Sequence, residues 1–258
     1  MARIHPTAVV APGAKLAEDA QVGPYAVIGA DVELAPGVEV GSHVHIEGRT
    51  AIGSRTRIYP FVAIGTPPQI RGFSGETTTV SVGEDSVIRE HSSIHVGTTE
   101  GGAGTRIGDD VLIMNNVHVA HDCRIGSHCV LAGYSGMGGH VVVDDYAVFG
   151  GMTGVHQFVR IGESVFTGAN SMISKDAPPF ARVAGDRARF AGINSVGLQR
   201  RGFSPQVIAA LKHAFHILFQ SKLRFEAAVG RVRRECRDAP EVERLLRFLE
   251  RSERGFIR

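Results

Sequence analysis

The segment His118-Val119-Ala120-His121-Asp122-Cys123 sets two histidines and a carboxylate close together. Eighteen residues on comes Gly136-Met137-Gly138-Gly139-His140, and eighteen beyond that Gly154-Val155-His156-Gln157-Phe158. An imidazole titrates near about pH 6.5 and accepts a proton from a hydroxyl or an amine when a carboxylate orients it. A backbone N–H with no side chain in front of it, as Gly139 offers, can stabilise a developing oxyanion. A base and an oxyanion donor with no serine or cysteine nucleophile in line point to direct acyl transfer without an acyl-enzyme. The competing reading is four unrelated structural histidines. Their gathering with one acid on a single patch argues against it, provided the fold makes that patch.

The fold follows from a repeat. Every sixth residue from Ile4 to Ile64 is Ile, Leu or Val, and the residue four places later is small or β-branched, as at Ala8, Ala14, Ala20, Val32 and Thr50. A second block, offset by one, runs from Ile107 to Ile173. A 3.6-residue helix cannot keep a six-residue stripe inward for so long, and one flat strand cannot run so far. The chain must turn a corner every six residues and stack its coils, which makes a parallel β-helix of 18 residues per coil, mainly β in class. Residue n then sits about 4.8 Å from residue n+18. His121 stacks on Gly139 and Gly139 on Gln157, while Asp122 stacks on His140. These residues are expected to point outward or into a corner.

Composition agrees. The 258 residues, 43% apolar, can bury one large core and a smaller second unit. The 32 glycines are expected at corners. A net charge of +2 gives no sign of a nucleic-acid partner. With no long apolar run and no leader pattern at Met1-Ala2-Arg3-Ile4, the expectation is a cytoplasmic protein with no transmembrane segment. Cys123 and Cys129 occupy the inward small position and read as packing residues, as does Cys236.

Along the chain, residues 1–177 read as the β-helix. Excursion loops interrupt it at about 66–81 and 95–106, where Pro and Gly cluster and the phase shifts. Such loops commonly carry substrate contacts. Residues 178–258 read as a helical domain, irregular over 180–194. Ser204-Pro205 opens one helix, a second covers about Arg224 to Arg237, and Pro240 opens a third. The tail is arginine-rich and suits an acidic partner protein.

Several stretches together resemble one family over essentially the whole chain. They are His118-Val-Ala-His-Asp-Cys123, Gly138-Gly-His-Val-Val-Val-Asp-Asp145, Gly150-Gly-Met-Thr-Gly-Val-His-Gln-Phe158, Gly192-Ile-Asn194, Gly197-Leu-Gln-Arg-Arg-Gly-Phe-Ser204 and Arg254-Gly-Phe-Ile-Arg258. The family is the hexapeptide-repeat O-acyltransferases that acylate UDP-N-acetylglucosamine at the start of lipid A biosynthesis. The resemblance implies a left-handed β-helix with a helical C-terminal domain, a homotrimer with sites between subunits, and no cofactor or metal. The implied donor is acyl carrier protein carrying a 3-hydroxyacyl chain, and the acceptor position is the sugar 3-position of a UDP-sugar. By resemblance His121 is the general base, Asp122 its orienting partner and Gly139 the amide facing the thioester oxygen. Gln69, Arg71, His118, His140, His156, Gln157 and Asn194 match substrate contacts. Arg200 and Arg201 match basic residues near nucleotide phosphates, and Ala169 with Met172 matches the acyl-chain pocket.

The chain departs from the family pattern in places. The excursion loop reads Pro68-Gln69-Ile70-Arg71-Gly72-Phe73, with Ile70 in place of an acid and Gly72 in place of a base. Val196 and Arg187 also differ from the common residues. Losing the acid at Ile70 keeps open an N-acyltransferase acting on a 3-amino analogue. A trimeric zinc enzyme of the same fold and a non-catalytic structural β-helix are the remaining alternatives. The latter favours outward threonine arrays, and this chain gathers histidines instead.

Overall fold

The computed structural model describes residues 1–102, 104–236 and 239–258. Short parallel strands wind into three sheets. The first sheet starts with Arg3–Ile4, the second with Val9–Val10 and the third with Lys15–Leu16. Partners fall 18 apart wherever no loop intervenes, as in Arg3↔Gln21, His118↔Gly136 and Gly136↔Gly154. The coil winds left-handed, as the resemblance implied.

The repeat positions account for the interior. The six-residue aliphatics Ile28, Ile46, Ile64, Ile88, Ile113 and Leu131 are buried, and so are the small partners Ala20, Ala26, Val38 and Ala147. Each buried aliphatic contributes about 1.5–3 kcal/mol relative to exposure. Where the small position is hydroxylated, its O–H donates to a nearby main-chain carbonyl, in several coils the one three residues back. Thr50, Ser135, Thr153 and Ser171 do this to Glu47, Ala132, Gly150 and Gly168, each at 2.7 Å. Otherwise inward threonine and serine would bury an unpaired hydroxyl. The stripe fails at the open end of the first coil, where Ile4 is exposed because no coil lies below it.

The corners correct the expectation for glycine. The left-handed corner residue is usually not glycine: Asp122, His140 and Phe158 have φ of 61°, 63° and 64°. That conformation costs a side-chain-bearing residue about 1–2 kcal/mol. Register offsets part of the cost by stacking corner side chains, as with His140 and Phe158, whose ring centroids lie 4.4 Å apart. Many glycines serve close approach between coils instead. A Cβ on Gly53 would lie 2.4 Å from the Gly83 carbonyl carbon.

Two boundaries shift. The ends of both excursions pair as strands, Thr79 with Gly104 and Ser93 with His118, so the described loop residues are 67–78 and 96–102. The stretch expected to be irregular holds an antiparallel hairpin, Ala181–Ala184 with Arg189–Ile193, which carries the first sheet past residue 177. Among the described residues four helices follow: α1 Ser195–Arg200, α2 Pro205–Gln220, α3 Phe225–Glu235 and α4 Pro240–Glu250. Ser204 caps α2, its Oγ accepting from the Val207 N–H at 3.3 Å. Helix α1 lacked a sequence signal because it is a short turn set by the Asn194 cap. Arg237, placed at the end of the second helix from sequence, lies outside the described residues.

Candidate active site

One edge of the prism, where the second sheet passes to the third, carries most of the predicted residues. Both excursion loops leave from it: the first, residues 67–78, lies between Ala63–Thr66 and Thr79–Val82, and the second, described over 96–102, lies between Ser93–His95 and Gly104–Ile107. The next three coils turn the same edge at His121-Asp122, Gly139-His140 and Gln157-Phe158. Gln69 and Arg71 are exposed on the first loop, below this corner.

His121 and Asp122 are paired. His121 Nδ1 donates to Asp122 Oδ2 at 2.8 Å, which leaves Nε2 as the basic nitrogen. The ring lies against Gly139: a Cβ built there would be 2.5 Å from both Cε1 and Nε2. The corner also frees the Gly139 amide. In the next two coils the second corner residue reaches back, His140 N–H to His121 O at 3.0 Å and Phe158 N–H to Gly139 O at 3.0 Å. Among the described residues, no hydrogen bond uses the Gly139 N–H.

Asp122 takes the corner alternative of its expected placement. Its side chain is fully buried, because loop 96–102 closes over it. The second excursion thus serves to cover the Asp122 carboxylate. His140 lies edge-on to His121, with centroids 5.0 Å apart and its Nε2 3.9 Å from Asp122 Oδ2. Burial holds the His140 imidazole below the ordinary histidine range, outweighing the pull of the Asp122 carboxylate. His118 is also held low, first by burial and then by His95. Both are therefore neutral at pH 7, ready to accept or donate a hydrogen bond.

Sequence reasoning missed His95, Thr98 and Thr105. His95 was assigned to a loop, yet it ends a strand beside His118, with ring centroids 5.0 Å apart, and its Nδ1 donates to Pro67 O at 2.9 Å. It ties the root of the first loop to the site. The signal was recoverable once the coil was allowed to lengthen: Ile94 pairs with Val119 and Ile107 with Ile125. His156 is exposed, and its Nδ1 lies 3.1 Å from Gln157 O and 3.3 Å from Arg254 Nη2, so the C-terminal segment reaches back to the same edge.

Other predicted residues lie elsewhere in the chain. Asn194 accepts from Gly197 N–H at 3.1 Å, capping α1, and donates to Ser164 O at 3.0 Å. Arg201 is engaged by Glu163 at 2.8 Å and by Ser164, with its guanidinium 3.5 Å from the Tyr146 ring centroid. Tyr146, Glu163 and Ser164 belong to the edge between the third and first sheets. Arg200 is exposed at the end of α1. Ala169 is exposed on the remaining edge, and Met172 extends its sulfur over Gly154 on the second sheet. Gly136 and Gly154 leave a shallow trough there between His118 and Met172, in one column of the sheet.

The chemistry available is proton transfer at Nε2 beside an unpaired amide. A thiol nucleophile is ruled out at Cys123, which is buried and pushed up to about 12 by that burial. His121, Asp122 and His140 could bring ligand atoms within 4.8 Å of one another around a metal. In the structure, however, the His121 Nδ1 and the Asp122 carboxylate already satisfy each other.

The residues from 176 to 257 match the family model described as UDP-N-acetylglucosamine O-acyltransferase, domain 2, and residues 104–139 match that for six bacterial transferase hexapeptide repeats. A protein of Thiobacillus denitrificans named acyl-[acyl-carrier-protein]–UDP-N-acetylglucosamine O-acyltransferase is 45% identical over the full length of both chains. The chain belongs to that family. A Burkholderia mallei protein of the same name is 48% identical, again over all of both chains. Among solved structures, the UDP-N-acetylglucosamine acyltransferase of Francisella novicida superposes with a TM-score of 0.95 at 35% identity, covering 99% of this chain and 94% of that one. The O-acyltransferase of Moraxella catarrhalis does so with a TM-score of 0.95 at 36% identity and 99% coverage of each. The protein is an acyltransferase of the hexapeptide-repeat type.

Proposed function

We propose that this chain transfers a 3-hydroxyacyl group from acyl carrier protein to the 3-hydroxyl of UDP-N-acetylglucosamine, the first step of lipid A biosynthesis. The observation that carries the mechanism is the His121 ring set between the buried Asp122 and the bare backbone of Gly139. Nε2 of His121 takes the proton of the sugar hydroxyl as its oxygen attacks the thioester carbonyl. The Gly139 N–H donates to the resulting oxyanion, and Asp122 stabilises the imidazolium. Collapse breaks the carbon–sulfur bond, and the departing thiolate takes the proton back from His121. No acyl-enzyme forms.

His118, His140, His156 and Gln157 line the edge where the sugar and acyl chain would meet, with Gln69 and Arg71 reaching from the loop. The Gly136–Gly154 trough leading to Met172, with Ala169 beyond it, is the path we assign to the acyl chain. Asn194, Arg200 and Arg201 stand away from that edge in the same chain. If they serve the same substrate they must do so from a neighbouring subunit, which favours a homotrimer with clefts between subunits. The arginines of the helical region suit an acidic carrier protein. No helix among the described residues is long and apolar enough to cross a membrane. Two water-soluble substrates fit a cytoplasmic reaction.

The test is product analysis. Incubation with 3-hydroxyacyl carrier protein and an equal mixture of UDP-N-acetylglucosamine and its 3-amino analogue yields the ester as the main product by mass spectrometry. A dominant amide would overturn the hydroxyl assignment and make Ile70 the mark of an amine acceptor.

A further inference from the structure

We infer that Thr98, on the second excursion loop, is a positioning residue of the acyl transfer, holding the Asp122 carboxylate in the one orientation that keeps His121 Nε2 free. The inference rests on the reading of His121 as the base. In a regular coil the two corner residues below His121-Asp122 would stack under them. Here that corner is replaced: Ile94 to Ile107 takes 13 residues where Val119 to Ile125 takes six. The added segment folds over Asp122.

Among the described residues, Thr98 supplies every hydrogen bond that the carboxylate receives apart from the one from His121. Its backbone N–H lies 3.0 Å from Oδ1 and 3.1 Å from Oδ2, and its hydroxyl lies 2.7 Å from Oδ2. The hydroxyl's direction is fixed. Thr98 Oγ1 accepts from the Gly101 N–H at 3.1 Å, so its own proton is left for Oδ2. The far end of the same segment grips the backbone, where Thr105 Oγ1 accepts the Asp122 N–H at 2.9 Å. Two glycines permit the approach: a Cβ on Gly97 would lie 2.6 Å from Oδ1, and one on Gly101 would lie 2.0 Å from the carboxyl carbon.

A buried carboxylate is tolerated only when its oxygens are bonded. Three donors converge on Oδ2: His121 Nδ1, Thr98 N–H and Thr98 O–H. Removing the hydroxyl leaves more negative charge on the oxygen facing the imidazole and lets the carboxylate rotate. The first effect favours the protonated ring. The second loosens the ring's aim at the acceptor.

The experiment compares Thr98→Val, Thr98→Ala and Thr98→Ser with the wild type. The valine and alanine variants are expected to lose about tenfold or more in kcat, with KM for UDP-N-acetylglucosamine little changed and the acid limb of the pH–rate profile moved to higher pH. Serine, which keeps the hydroxyl, restores both. A valine variant that fails to fold hands the test to alanine, which adds no bulk. Wild-type kcat with an unmoved limb in the folded variant overturns the inference, and so does a serine variant no better than alanine. His121→Ala is run beside them. If it retains turnover, the reading of His121 as base falls; if it is inactive while Thr98→Ala is normal, only the role of Thr98 falls.

Discussion

His121→Ala lowers kcat/KM by about 10²- to 10⁴-fold, the range for loss of a positioned general base, while the protein keeps its melting temperature within a few degrees. The two halves of that expectation come from different features. The catalytic loss follows from geometry, because Nε2 is the only nitrogen of the pair not committed to Asp122. The retained stability follows from the corner. His121 contributes no inward side chain, and the Asp122 carboxylate keeps its donors from Thr98 when the imidazole is gone. His140 cannot substitute, since its Nε2 stands 3.9 Å from the carboxylate. Steady-state kinetics with thermal melting checks both halves. Turnover within tenfold of wild type would place the base elsewhere.

Gly139→Ala is the second large effect, expected to cost about a hundredfold or more in kcat. The added methyl would lie 2.5 Å from Cε1 and Nε2 of His121, well inside van der Waals contact. Gly139 is not among the residues with positive φ, so the alanine backbone itself carries no strain. The conflict is therefore borne by the base. A displacement of about 1 Å at a reacting group can cost about 10²-fold. The methyl also crowds the amide that faces the oxyanion. A double-variant cycle with His121→Ala separates the two: if Gly139 acts by displacing the imidazole, its effect shrinks once the imidazole is absent. An alanine variant with wild-type kcat would contradict the packing of the ring on that glycine.

The stacking of His121 on Gly139 was legible because a six-residue stripe fixes coil length, and coil length fixes neighbours. The same arithmetic failed where the chain left the coil. His95 and Thr98 sit 25 and 24 positions before His118's neighbour Ala120 and before Asp122 in a lengthened coil, and an 18-residue step passes over both. Asp122 was expected outward or in a corner, and nothing local in His-Asp-Cys announces a loop closing over it; that burial depends on Gly97 and Gly101, which sequence could place only in an excursion. The corner residues with positive φ were hidden for another reason. Aspartate and histidine tolerate that conformation better than most residues, but phenylalanine does not, and the turn and the column of stacked side chains impose it on all three. Asn194 and Arg201 illustrate the opposite limit. Their types suited substrate contact, yet within one chain Asn194 caps α1 and Arg201 is held by Glu163 and Tyr146.

The central claim is that the acyl group passes straight from thioester to acceptor, with an imidazole moving the proton and no residue of the protein carrying the acyl chain. Intact-protein mass spectrometry after mixing the enzyme with 3-hydroxyacyl carrier protein, with the nucleotide sugar withheld, tests it most directly. The account predicts an enzyme of unchanged mass and an intact thioester. An enzyme heavier by one acyl group, discharged on adding the sugar, would contradict it.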